Sequence, residues 1–149
     1  MTIEVRRILV PVDFSEDSTA ALEKAVEFAK ALGAKLRLLH VFHRLPEIYA
    51  PYGGIQPAVP GVAEIPEAAT RCLDLELEKV REAGVEAEGE VREGLPSDAI
   101  VAAAQQWGAD LIVMGTRGHT GLEHVLLGSV AERTLHKAPC PVMTVRSGV

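Results

Sequence analysis

The chain of 149 residues carries 15 basic and 21 acidic side chains, a formal charge of −6, with 48% hydrophobic and 24% charged residues. That length suits a single domain, residues 1–149, and the balance is that of an ordinary globular protein. A net-acidic chain argues against broad nucleic-acid binding, but not against a small anion, which backbone N–H groups can cradle without net positive charge.

No apolar run approaches the roughly 20 residues that span a bilayer. Residues 1–7 lack the cationic start and apolar stretch of a leader. A cytoplasmic protein without membrane contact is therefore expected. Cys72 and Cys140 are far apart and form no C-x-x-C unit, so neither a disulfide framework nor a zinc site is expected. Cys140, between Pro139 and Pro141, reads as a small buried or half-buried thiol.

In chain order, residues 7–12 (RILVPV) form a β-branched run that reads as the first strand. Ser15 is placed as an N-cap, with Glu16 and Asp17 in the first helical turn. Ala21, Leu22, Ala25, Phe28, Ala29 and Leu32 mark one face of that helix, and Gly33 closes it. Residues 35–42 (KLRLLHVF) give the second strand. Residues 43–66 hold five prolines and three glycines and read as an irregular surface loop. Its Tyr49 and Tyr52 either cover a ligand or partner or pack on their own domain.

The pattern predicts a helix over 63–83, with Leu73, Leu77 and Val80 on one side, then a strand over 85–92. Pro96, Ser97 and Asp98 start a helix that stops at Gly108. Residues 110–114 (DLIVM) form the fourth strand. After the glycine-rich stretch 115–128, residues 130–137 read as a helix and 141–145 (PVMTV) as the fifth strand. Strands alternating with helices imply parallel strands, right-handed crossovers and helices on both faces: a three-layer α/β fold with an open five-stranded sheet.

In such sheets ligands collect beyond the carboxyl ends of the strands, where strand order reverses. There the first strand delivers Val12 and Asp13, and the fourth delivers Met114, Gly115 and Thr116. The segment 115–129 reads GTRGHTGLEHVLLGS. Its glycines let backbone turn sharply near a ligand, and Ser129 with Glu132 has the S-x-x-E spacing of a capping box. A helix start preceded by glycines suits a phosphate; the competing reading is a tight strand-to-helix connection. Neither G-x-x-x-x-G-K-[ST] nor G-x-G-x-x-G is present, which excludes the P-loop and argues against a dinucleotide site.

Gly115, Gly118, Gly128 and Ser129 fit the pattern G-x2-G-x9-G-[ST]. With RILVPVDFSEDS near the start, EGLPSDAI in the middle and APCPVMTV near the end, the chain resembles the universal stress protein family over essentially its whole length. The resemblance implies a Rossmann-like sheet of the adenine nucleotide alpha hydrolase type, in the order 3-2-1-4-5. It implies a site for ATP or another adenine nucleotide. Pro11, Val12 and Asp13 would line the adenosine, Val41 would pack on adenine, and Met114 and Gly115 would lie along ribose and base. Gly118, Gly128, Ser129 and Val130 would contact the phosphates. It further implies a homodimer paired through the fifth strand, from Pro141 to Val145, an edge that needs a cover.

Asp13 reads either as a ligand for ribose or Mg2+, or as a turn former. Arg117 and His119 either reach phosphate oxygens or are solvated loop residues. His124 and His136 are expected on helix surfaces, and His40 beside the sheet. The S-G-G-x-D-S and H-x-G-H signatures of adenylating and synthetase-like enzymes are absent. No base, metal cage or arginine finger stands out. The expected role is a small dimeric ATP-binding sensor or regulator in stress response. Slow ATP hydrolysis at the same site, or a nucleotide-independent chaperone-like role, are the alternatives.

Overall fold

A computed structural model of the chain describes residues 4–42, 67–117 and 127–148. The elements run β1 (Arg7–Pro11), α1 (Glu16–Leu32), β2 (Lys35–Phe42), α2 (Glu67–Glu82), β3 (Ala87–Glu93), α3 (Pro96–Trp107), β4 (Leu111–Gly115), α4 (Ser129–Lys137) and β5 (Val142–Val145). All paired strands are parallel, in the order β3-β2-β1-β4-β5. The expected start of the second helix at residue 63 lies outside the described residues, as do Tyr49 and Tyr52.

The period-2 alternation of β1 divides the core. Ile8 and Val10 point to one face, with Leu36 and Leu38 of β2 and Val113 of β4, against the buried stripes of α1 and α2. Leu9 points to the other, with Leu39, Ile112 and Met114, against Ile100, Ala103, Ala104 and Trp107 of α3 and Ala131 of α4. Ile8, Leu9, Leu36, Leu38, Leu39, Ile112 and Val113 have no exposed surface. Burying a sheet on both faces is what near-continuous apolar strands require.

Helix α1 is fixed at both ends. Ser15 is its N-cap, its hydroxyl accepting from the Ser18 N–H at 3.3 Å, and Gly33 closes it at φ 68. Helix α3 starts on Pro96, whose missing N–H costs nothing there. Helix α4 differs from expectation. Gly128 is its N-cap, so the helix begins one residue early and Ser129 sits on its first turn. Glycine has no side chain to cap with, and the capping box anticipated at Ser129 does not form.

Every helix runs back across the sheet, so helix starts gather at the carboxyl ends of the strands and helix ends gather at the other. The amino-terminal end holds an open hollow of about 740 Å³, bordered by Glu4, Arg6, Lys30, Lys35 and Glu86. Helix α1 finishes there at Gly33, and the turn after α2 finishes there at Gly84, φ 89.

Candidate functional site

At the carboxyl end, β1 and β4 are neighbours and their connections leave in opposite directions. That is the strand-order reversal at which ligands bind in open α/β sheets. A cleft of about 330 Å³ opens there, within the range of small-molecule sites. One wall is Pro11, Val12 and Asp13. Met114, Gly115, Thr116 and Arg117 form the opposite side, Val41 with Ile100 the apolar floor, and Gly128, Ser129 and Val130 the far end. Ten of the residues expected from the sequence thus line one cavity. Gly118 and His119 lie outside the described residues.

Two helix starts open on this cleft. Neither the Leu95 N-cap of α3 nor the Gly128 N-cap of α4 makes a side-chain capping bond, and both helices put first-turn residues on the lining. The first N–H groups of a helix have no partner within it and carry the positive end of its dipole. The mixture of apolar walls and N–H groups suits a ligand with a flat apolar part and an anionic end.

Asp13 performs a turn task. Its Oδ1 accepts the Ser15 N–H at 3.0 Å and the Ser15 hydroxyl, and its own N–H donates to Ser18 Oγ at 3.1 Å. This holds the chain between β1 and α1, where Phe14 adopts φ 64, a left-handed conformation that is costly for an aromatic residue. The Phe14 ring packs on His40, centroids 4.9 Å apart, and His40 Nδ1 donates to the Val12 carbonyl at 2.8 Å. His40 therefore packs beside the sheet and braces the wall formed by Pro11, Val12 and Asp13. Among the described residues, no group of three His, Cys, Asp or Glu side chains stands close enough to cage a metal ion.

Gly115 has a packing reason to be glycine. A Cβ there would lie 2.8 Å from the Asp17 carbonyl carbon and 2.9 Å from the Ser18 nitrogen. No side chain fits that approach of β4 to the first turn of α1. The chain beyond is pinned: the Thr116 N–H donates to Val145 O at 2.9 Å, and the Gly128 N–H donates to Thr116 O at 2.7 Å.

Sequence reasoning missed Asp17, read only as a first-turn acid. Its side chain is 5% exposed and lies under the start of the glycine segment. Oδ2 accepts from the Arg117 N–H at 3.1 Å and Arg117 Nε at 3.2 Å. Oδ1 accepts from the Ser147 N–H at 2.9 Å and the Ser147 hydroxyl at 2.7 Å. Burial alone would push this carboxyl up. The bonds from the Ser147 hydroxyl and N–H, and then Arg117, outweigh it and lower its pKa to about 2. Arg117 lines the cleft, with its guanidinium engaged by this buried carboxylate. No spacing rule joins positions 17, 117 and 147.

Both cysteines are free thiols, Cys72 exposed and Cys140 half-buried. Burial first, and Asp110 second, push the Cys140 thiol up. His136 is exposed on α4, as expected, while His124 lies outside the described residues. No helix among the described residues is long and apolar enough to cross a membrane.

Comparison with known proteins agrees with this architecture. Residues 4–146 match the model of the Universal stress protein family. The universal stress protein MJ0531 of Methanocaldococcus jannaschii is 37% identical, over 95% of this chain and 82% of its own. Among solved structures, MJ0577 superposes with a TM-score of 0.81 at 28% identity, covering 99% of both chains. A universal stress protein from Archaeoglobus fulgidus in complex with dAMP superposes with a TM-score of 0.64 at 26% identity, covering 97% of this chain and 99% of that one.

Proposed function

The chain belongs to the universal stress protein family, and we propose that its cleft binds an adenine nucleotide, ATP being the expected ligand. The observation that carries the proposal is the pairing of two uncapped helix starts with an apolar floor in a single cavity at the strand-order reversal. The dAMP complex of the Archaeoglobus fulgidus relative supports the same ligand class.

In this reading adenine packs on Val41, and the adenosine runs along Pro11, Val12 and Asp13. Met114 and Gly115 border ribose and base. The phosphates meet the start of α4 at Gly128, Ser129 and Val130, with Gly118 and His119 nearby in sequence. Ser129, freed from capping by the earlier helix start, keeps its hydroxyl for phosphate. A Mg2+ ion suits this site only as a companion of the phosphates, with Asp13 as the protein carboxylate, because Mg2+ commonly takes one or two carboxylates plus substrate oxygens.

The biological role proposed is that of a small cytoplasmic sensor or regulator in stress response, working as a homodimer. The two sheet edges favour pairing through β5. The β3 edge bears Glu88, Glu90 and Arg92, with Arg37 of β2 paired to Glu88 at 2.6 Å. Such charges discourage strand addition. Strand β5 offers Val142, Met143, Thr144 and Val145, all half-buried in the single chain.

Mass spectrometry of the purified protein for retained nucleotide, followed by calorimetry with adenosine, AMP, ADP and ATP, tests the reading. Binding is expected, and a Gly118→Val, Gly128→Val double variant is expected to lose ATP. Undiminished ATP binding by that variant would remove the site assignment.

A further inference from the structure

Segment 115–129 contains one arginine, Arg117, and no lysine. Arg117 is also the one cationic side chain among the described residues lining the cleft, where Asp13 is the other charged one. A site built for polyphosphate would be expected to aim such a guanidinium at the phosphates. Here Arg117 is 17% exposed at its side chain, and its Nε faces a carboxylate that is itself 5% exposed.

Asp17 is unusually well suited to keep it there. Four donor groups converge on its two oxygens: the Arg117 N–H and Nε, and the Ser147 N–H and hydroxyl. A carboxylate accepts all four. An asparagine would turn an NH2 group toward one pair, and a backbone N–H cannot accept from it. The same residue sits where Gly115 lets β4 come close to the first turn of α1, so its position is set by backbone on both sides. The Ser147 bonds extend the arrangement to the segment just after β5.

We propose that Asp17 is a specificity-setting positioning residue, which withholds the Arg117 guanidinium from the phosphates so that the site selects the adenosine part and responds weakly to phosphate number. This rests on the adenine-nucleotide reading above. With Arg117 neutralised, the phosphate end is recognised by neutral backbone N–H groups and the Ser129 hydroxyl. Each added phosphate then gains little from the protein, because Arg117, the one cationic side chain lining the cleft among the described residues, already faces Asp17. The Ser147 bonds hold Asp17 in place, which makes the C-terminal segment part of the device.

A double-mutant cycle tests this. Affinities for adenosine, AMP and ATP are measured by calorimetry at pH 7.5 for wild type, Asp17→Asn, Arg117→Gln and the double variant. Asp17→Asn frees the guanidinium and is expected to raise the ratio of ATP to adenosine affinity roughly tenfold, the scale of one charge-assisted hydrogen bond. In the Arg117→Gln background the same substitution is expected to leave the ratio where it was. A merely structural Asp17 would weaken all three ligands in parallel, and an unmoved or lowered ratio overturns the proposal. Because Asp17→Asn could fold poorly, the Arg117 Nε–H resonance of the wild type is followed by NMR as well. It is expected to be protected from exchange and to stay in place on saturation with ATP. A large shift of that resonance on binding ATP, or fast exchange without it, overturns the proposal independently of any variant. If no adenine ligand binds wild type, the nucleotide reading falls and takes this proposal with it; binding with an unmoved ratio removes this proposal alone.

Discussion

The two ends of the sheet make a controlled comparison. The hollow at the amino-terminal end, about 740 Å³, is larger than the carboxyl-end cleft of about 330 Å³. It is bordered by more charged side chains, including Lys30 and Lys35, yet it lacks the features of an anion site. Helix α1 arrives there with its carbonyl end, and Gly33 closes it, the Ala34 N–H donating to Ala29 O at 3.0 Å. The cleft instead receives helix starts, with their unpartnered N–H groups and positive dipole ends. Helix direction, set by the right-handed crossovers, distinguishes the two ends more sharply than volume or lysine count.

Substitutions that treat the ends alike would break this comparison. The largest effect is expected at Gly115. Placing a valine there forces its Cβ against the Asp17 and Ser18 backbone, which cannot yield like a flexible side chain. A loss of about 3 kcal/mol is expected in urea unfolding, the upper range for overpacking. A loss below 1 kcal/mol would mean that β4 and α1 can separate without cost.

Asp17→Asn comes next. The folded carboxyl titrates at about 2, below its ordinary 3.8, so folding favours the ionised form. Its contribution is complete above pH 4 or so and is lost as pH falls through about 2. At pH 7 the variant is expected to be less stable by about 2 kcal/mol. The gap between variant and wild type should narrow steadily between pH 4 and pH 2. A gap independent of pH would show that the carboxylate's charge is not what matters.

The smallest effect is expected at the opposite end. A Cβ on Gly33 would meet no atom within 4 Å, so Gly33→Ala suffers only from the left-handed φ of 68. A loss of about 1 kcal/mol is expected, with no change in nucleotide affinity. If Gly33→Ala weakened nucleotide binding as strongly as substitutions at the cleft, the assignment of function to one end would fail.

The regular parts of this molecule were legible because they depend on short-range patterns. The apolar run of β4, the capping of α1 by Ser15 and the stop at Gly108 each need only a few adjacent residues. The cleft was legible because the motif residues cluster where two adjacent strands end. Asp17 was not legible, since its partners lie 100 and 130 positions away and only folding brings them together. Ser129 was misplaced by one residue for a local reason. Its S-x-x-E spacing suits a cap, but the extended conformation of Gly128, ψ 160, already ends the connection and starts the helix.

The bond between the Gly128 N–H and the Thr116 carbonyl has a consequence for how such a protein can vary. It fastens the two ends of segment 117–127 together at a neck, and the neck is fastened to β5 through the Thr116 N–H. The entropy of closing a chain grows only with the logarithm of its length, by about 0.6 kcal/mol per doubling. Residues between the two ends can therefore be exchanged or added at small thermodynamic cost while the neck stays in register with β4. The stretch between the two ends is in this sense a replaceable module, open to change without refashioning the sheet.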